Sequence, residues 1–510
     1  MSKFFQGTLI LLAAGLITRV LGFINRIVVA RVIGGEGVGL YMMALPTLFL
    51  VITVTQIGLP VAIAKFVAEA NAVGDEKRIK KILVVSLSIT LGLSLLFTPA
   101  LLILAPLLSQ TLFTDERVIW PLIAITPIIP IVAVSAVIRG YFQGKQNMKP
   151  GAIAIILEQV IRILLIAYLT KTFLPYGIEY AAAAAMFASV IGELVSLLYL
   201  LTSFKVKKHF RLRNKFFSQI KQGKETLSQL LSIALPSTGS RLISNVSWFL
   251  EPIVVAQSLA IAGVSTAMAT QQYGELVGYA WPVLMLPSFI TISLSTSLVP
   301  AVSEAASLGN MKLVSYRLHQ ALRIIFITGC LSMMVLFVFA DPLMELMYNN
   351  NHAAVYITFL APICIFIYYQ MPLQSILQAL NLAKAAMINS LIGAIVKLGL
   401  IFALSSQPQL GIMGTAIGIA ASTVLVTFLH FATISKRITF AFEIKDYLLT
   451  IIITFLSGWI GHVIYETMTN SYALYISILL SGACFLLLCL LLKVITISEL
   501  SAFNVFRKKK

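Results

Sequence analysis

Charge is the scarcest property of this 510-residue chain. Only 11% of its residues are Asp, Glu, Lys or Arg, where a soluble domain carries about a quarter. Acids are rarer than bases, 19 against 37. The four cysteines, Cys330, Cys364, Cys484 and Cys489, all fall in apolar runs, so no disulfide framework is expected. The five histidines are scattered and share no metal-ligand spacing with cysteines or carboxylates. No glycine-rich nucleotide loop is present, which argues against ATP-driven pumping by this chain alone. The short alternating segments of a β-barrel are missing too. No small-residue cleavage site follows the first apolar run, which is expected to remain as a permanent helix.

What is there is hydrophobic: 59% of the residues and a mean hydropathy of +0.96. Apolar runs of about 20 residues, the length that crosses a bilayer as a helix, recur along the chain. The fold class is therefore an all-α polytopic membrane protein with about 14 transmembrane helices. The spans are expected near 8–33, 38–64, 82–108, 118–141, 151–170, 178–202, 228–256, 275–300, 315–340, 353–380, 386–404, 411–434, 446–465 and 473–493.

With the N-terminus in the cytoplasm, 29 of the 37 Lys and Arg fall on the cytoplasmic side. Only Arg31, Arg117 and Lys171 fall outside, and the other five lie within spans. This asymmetry follows the positive-inside rule and places both termini in the cytoplasm. It also accounts for the net charge of +18 without nucleic acid, by orientation and attraction to anionic lipid. The basic, aromatic run of 205–224 reads as an interfacial linker.

Two halves echo each other. LPVAIAKFVAEANAVGD (59–75) resembles LVPAVSEAASLGN (298–310), with Gly74 matching Gly309. RIVVA ends the first span and PIVVA the seventh. GKQNMKPGAI from Gly144 resembles AKAAMINSLI from Ala383, which sets Glu158 opposite Lys397. Three echoes in one order indicate a duplicated six-helix unit. The expected organisation is an N-terminal six-helix lobe (1–203), a basic cytoplasmic linker (204–227), a C-terminal six-helix lobe (228–437), and an appended helix pair with a basic tail (438–510). Transporters built from parallel repeats bind cargo between the halves and rock one against the other.

TRVLGF at Thr18–Phe23, RGYFQGKQNMKP at Arg139–Pro150, LYL before a basic linker and LVPAVSEA at Leu298–Ala305 carry a family resemblance along nearly the whole chain. The sequence resembles the prokaryotic polysaccharide and lipid-linked-glycan exporters of the multidrug/oligosaccharidyl-lipid/polysaccharide (MOP) flippase superfamily, whose multidrug branch makes the expected fold MATE-like. The resemblance implies two lobes around a central cavity. It implies transport of an undecaprenyl-pyrophosphate-linked sugar to the outer leaflet. A sporulation branch of the family makes the peptidoglycan precursor lipid II the expected cargo, for spore cortex synthesis. The implied partners are that glycan lipid, the membrane lipids and cell-wall polymerases; no cofactor is called for.

The intramembrane charges are the candidate site. Arg19 and Arg26 are seven apart and share one face of the first helix. Arg241, Trp248 and Glu251 form a similar face in the seventh span. Guanidinium groups bind phosphate bidentately and stay charged at any relevant pH, so these arginines suit a pyrophosphate. They can equally fasten the bundle by pairing with carboxylates or helix ends. Glu158 and Arg162, four apart, have ion-pair spacing and join Lys397 as candidates for either pairing or cargo contact. Arg139, Gly140, Gln143 and Gly144 form a tight turn or a cytoplasmic gate. An enzyme acting on lipid-linked sugars would need a polar outer loop with carboxylates, yet the longest outer loop, 257–274, has no acidic residue. The remaining alternatives are a drug/cation antiporter of the same superfamily and a scaffold for cell-wall enzymes.

Overall fold

A computed structural model describes residues 3–207, 223–438, 444–468, 470 and 472–494. The interior of the basic linker and the basic tail lie outside them. Every regular element among the described residues is helical. The helices are α1 (Lys3–Gln56), α2 (Leu59–Ala72), α3 (Glu76–Leu107), α4 (Ile119–Ile125), α5 (Ile128–Gly144), α6 (Lys149–Phe173), α7 (Ile178–Lys207), α8 (Lys224–Ile261) and α9 (Thr266–Tyr273). A π-turn at Gly274–Ala280 leads to α10 (Trp281–Leu284), α11 (Ser288–Ser307), α12 (Met311–Val338), α13 (Ala340–Tyr348) and α14 (Ala354–Leu360). The chain ends with α15 (Cys364–Ala379), α16 (Ala383–Ser405), α17 (Ile412–Ser435), α18 (Ile444–Thr467) and α19 (Ala473–Leu491).

Among the described residues, twelve helical segments are long and apolar enough to cross a membrane, or thirteen with the bent pair at 266–295. One segment runs from Gly15 to Ala72. It is broken at Gly34, whose φ of 67° and ψ of −177° no helix accommodates, so its two arms are compatible with the fourteen expected spans. Glycine holds that break because a side chain there would be strained.

The chain divides into two compact units, one of Met1–Tyr279 with Ile401–Thr415 and the other of Ala280–Leu400 with Ala416–Lys510. These boundaries cut the chain elsewhere than the echoes do, since α8 and α9 pack with the first unit. In that unit Leu59, Ile63, Val67, Ile79, Tyr141 and Leu200 form one core under α2, α3, α5 and α7. In the second, Ile327, Cys330, Ile453, Phe485 and Cys489 join α12, α18 and α19. The two cysteines there are free and buried, as packing residues of a core.

The first echo folds the same way twice. Gly74 has φ 70° and Gly309 φ 69°. The next residue's amide donates back to a helical carbonyl in both cases, Asp75 to Ala70 at 2.9 Å and Asn310 to Ala305 at 3.0 Å. Asp75 then caps α3 by accepting from the Arg78 amide at 2.9 Å, and Asn310 caps α12 from the Leu313 amide at 3.0 Å. A left-handed glycine ends one helix and an Asx side chain starts the next.

The third echo folds alike but in another register. Gln146 (φ 53°) and Asn381 (φ 60°) occupy the equivalent left-handed position. They are 235 residues apart, the separation of Gly74 and Gly309. Lys397 therefore corresponds to Arg162, and Glu158 to Gly393. The sequence reading, which matched Glu158 to Lys397, was four residues out.

Candidate functional site

Three polar groupings stand out in the first unit. The first lies where α5, α6 and α7 meet. The Arg139 guanidinium donates to both carboxylate oxygens of Glu193, at 3.0 and 3.3 Å, and to the Ser196 hydroxyl at 3.1 Å. It also lies 3.6 Å from Glu158, which accepts from Arg162 one turn along α6. Glu158 and Glu193 are buried. A buried carboxylate is tolerated when its charge is matched and its lone pairs are filled, and two guanidinium groups meet two carboxylates here. Gly192 makes the approach possible, since a Cβ there would lie 2.9 Å from the Glu158 carbonyl oxygen.

Arg139 thus joins an ion network, whereas its neighbours do something else. A Cβ on Gly140 would meet the Pro60 carbonyl oxygen at 3.0 Å, and one on Gly144 would meet Val67 at 2.6 Å. The two glycines, four apart, seat α5 on α2 in the manner of small-residue helix contacts. Gln143 is exposed.

The second grouping lies at the membrane face that the charge count assigns to the outside. Arg117 donates to Glu36 at 2.7 Å and to Asp115 at 3.0 and 2.9 Å. Buried Asp115 also accepts from the Thr270 hydroxyl at 2.8 Å. Beside this knot, the GGEGVG turn of α1 packs on α9 and the π-turn with almost no space between backbones. A Cβ on Gly39 would lie 1.9 Å from the Thr270 carbonyl oxygen, and one on Gly274 would lie 2.1 Å from that of Gly35. Gly278 meets Val38 in the same way, at 2.2 Å. The Tyr279 hydroxyl donates to the Ala30 carbonyl at 3.2 Å and closes the seam. Gly35/Gly39 and Gly274/Gly278 form two small-xxx-small pairs. Sequence reasoning missed this seal, although the glycine spacing was visible. Glu36, Asp115, Glu193 and Thr270 were missed as well.

The third grouping holds the arginines expected to meet cargo. Arg19 and Arg26 lie on the first arm of α1, and Arg241 on α8; all three are exposed. None of the three makes an ion pair or side-chain hydrogen bond among the described residues. Trp248 stacks on Phe49 with ring centroids 5.2 Å apart, and Asn245 donates to the Thr53 hydroxyl. These contacts seat α8 against the second arm of α1, beyond Gly34. Glu251 is buried on the same helix, near Tyr273. Lys397, on α16 in the other unit, is half-buried. Among the described residues, no group of three or more His, Cys, Asp or Glu is arranged to hold a metal ion.

The sequence matches the profile of a family described as "Polysaccharide biosynthesis protein" over residues 4–306, and that of MatE over 276–403. It is 56% identical to Stage V sporulation protein B of Bacillus subtilis (strain 168), over 98% of this chain and 97% of that protein. It is 24% identical to the Lipid II flippase MurJ of the same organism, over 82% of this chain and 81% of that one. Among solved structures it resembles one described as "Lipid II flippase MurJ, inward closed conformation", with a TM-score of 0.70 at 15% identity, covering 97% of this chain and 99% of that one.

Proposed function

Because the chain belongs to the polysaccharide biosynthesis protein family, within the MOP flippase superfamily, we propose that it flips an undecaprenyl-pyrophosphate-linked sugar across the cell membrane, both of its termini being cytoplasmic. The cargo is lipid II, destined for the spore cortex and handed on to cell-wall polymerases. The relatives' names support both halves of this reading, one a sporulation protein and the other a lipid II flippase.

The observation that carries it is the contrast among the arginines. Arg139 and Arg162 are matched by buried carboxylates, while Arg19, Arg26 and Arg241 are exposed. Exposed guanidinium groups within spans are costly beside hydrocarbon and tolerable beside water. A sugar headgroup needs water along its path, and a pyrophosphate supplies the missing anion. Trp248 offers a ring face to a sugar, and Glu251 neutralises a neighbouring cation. Lys397 is a further cation for cargo within its own unit.

Arg139, Gly140 and Gly144 hold α2, α5, α6 and α7 as one rigid piece, and Gln143 is the part of that segment left to meet solvent during gating. The glycine seam and the Arg117 knot form the outward seal, which opens for release. The MatE match favours one competing reading, a drug/cation antiporter. That reading needs intramembrane carboxylates facing the cargo; Glu158 and Glu193 are engaged by arginines, and the exposed Arg19, Arg26 and Arg241 favour an anionic cargo instead.

The test is flipping of labelled lipid II in proteoliposomes, comparing wild type with Arg19→Ala, Arg26→Ala and Arg241→Ala at equal folded yield. Loss of flipping in the variants is expected. Full activity in all three would refute the cargo role, and inactivity of the wild type would refute the choice of lipid II.

A further inference from the structure

In the first unit lies an apolar cavity of about 270 Å³, none of whose lining residues is assigned to cargo. Leu83 and Leu87 of α3, Val134 and Val137 of α5, and Leu201 and Phe204 of α7 line it. The Phe204 ring stands edge-on to the buried Tyr141, with centroids 5.0 Å apart. The cavity opens sideways at Leu201, which is 40% exposed. Leu194, Leu198 and Leu201, spaced four and three apart, make an exposed apolar stripe along α7 that leads into it.

The stripe ends in a cation. Lys205, four residues beyond Leu201, lines the mouth of the cavity and is exposed. Lys205 is close to the end of α7 at Lys207, so this mouth lies at headgroup depth, in the leaflet that the charge count makes cytoplasmic. An apolar slot gives water no hydrogen-bond partners, and a lysine at its rim draws anionic lipid.

We propose that this slot is a binding site for a single anionic glycerophospholipid. One acyl chain enters along Leu198 and Leu201, and the phosphate rests on Lys205. The exposed leucine stripe gives the slot an entrance from the bilayer, where such a lipid is always present. Occupancy of the slot braces α3 against α5 and α7, two of the helices that carry the Arg139 network.

Native mass spectrometry of the full-length protein tests this, after exchange into detergent micelles holding equal amounts of phosphatidylglycerol and phosphatidylcholine. Wild type should retain one phosphatidylglycerol, several-fold more often than phosphatidylcholine. Val134→Phe with Leu201→Phe, which fills the slot, should lose it. Lys205→Gln, an exposed change that leaves the packing alone, should bind the two lipids equally. Equal retention of both lipids by the wild type would overturn the proposal, as would an unchanged preference in Lys205→Gln. Displacement of phosphatidylglycerol by an equal amount of undecaprenyl phosphate would overturn it too, by giving the slot to the cargo's tail.

Discussion

Replacing Gly39 with alanine puts a methyl group where no space exists. The new Cβ would lie 1.9 Å from the Thr270 carbonyl oxygen and 2.7 Å from its carbonyl carbon. Both are backbone atoms, so no rotamer change relieves the clash. Overpacking of this kind costs about 1–3 kcal/mol. The cost falls on the sealed arrangement alone, because separating α1 from α9 removes the contact. A shift of that size changes the sealed-to-open ratio by roughly 5- to 150-fold. The assay is labelling of Ala269→Cys, a position buried in α9, by a membrane-impermeant maleimide in a background without the four native cysteines. Gly39→Ala should raise the labelling rate by that factor, up to the point where the open form predominates. Gly92→Ala is the control, since a Cβ there meets nothing within 4 Å; it should leave labelling unchanged. Unchanged labelling in a well-folded Gly39→Ala protein would show that the seam is not what closes this face.

Three further outcomes follow from the same geometry. Glu193→Gln leaves Arg139 short of its main partner and should lower thermal stability in detergent by about 3–5 kcal/mol. Adding Arg139→Gln should recover much of that loss; simple additivity would mean that the network is not coupled. Asp75→Ala and Asn310→Ala each remove a helix cap and should each cost about 0.5–2 kcal/mol, and clearly unequal unfolding shifts would contradict the equivalence of the two turns. Arg117→Ala strips buried Asp115 of the two bonds donated by the guanidinium and should speed Ala269→Cys labelling as Gly39→Ala does, with partial rescue by Asp115→Asn.

Much of the fold was legible because bilayer spans write themselves as long apolar runs. The membrane class and its relation to lipid-linked exporters followed from those runs and from segments such as RGYFQG. The register of the second half was less legible, for a physical reason. A slip of four residues is close to one helical turn and leaves every apolar residue on nearly the same face. Hydropathy cannot detect it, whereas the left-handed residues Gln146 and Asn381 can. The site was legible only where partners are neighbours in sequence. Glu158 and Arg162 announced themselves by their spacing. Arg139 and Glu193 are 54 residues apart and Glu36 and Arg117 are 81 apart, so only packing brings them together. Unpartnered arginines look the same in sequence as partnered ones.

The break at Gly34 also bears on how the protein is made. Arg19, Arg26 and Arg31 sit in the first arm of α1, and an arginine at a helix centre costs about 2.5–3.5 kcal/mol on insertion. No cargo is present to offset that cost while the chain is being synthesised. The second arm carries no charged residue from Leu40 to Pro60. With the helix broken between them at Gly34, the uncharged second arm can enter the bilayer beside the first and offset its cost. The break at Gly34 thus gives the arginine-bearing arm an uncharged neighbour to enter with during synthesis.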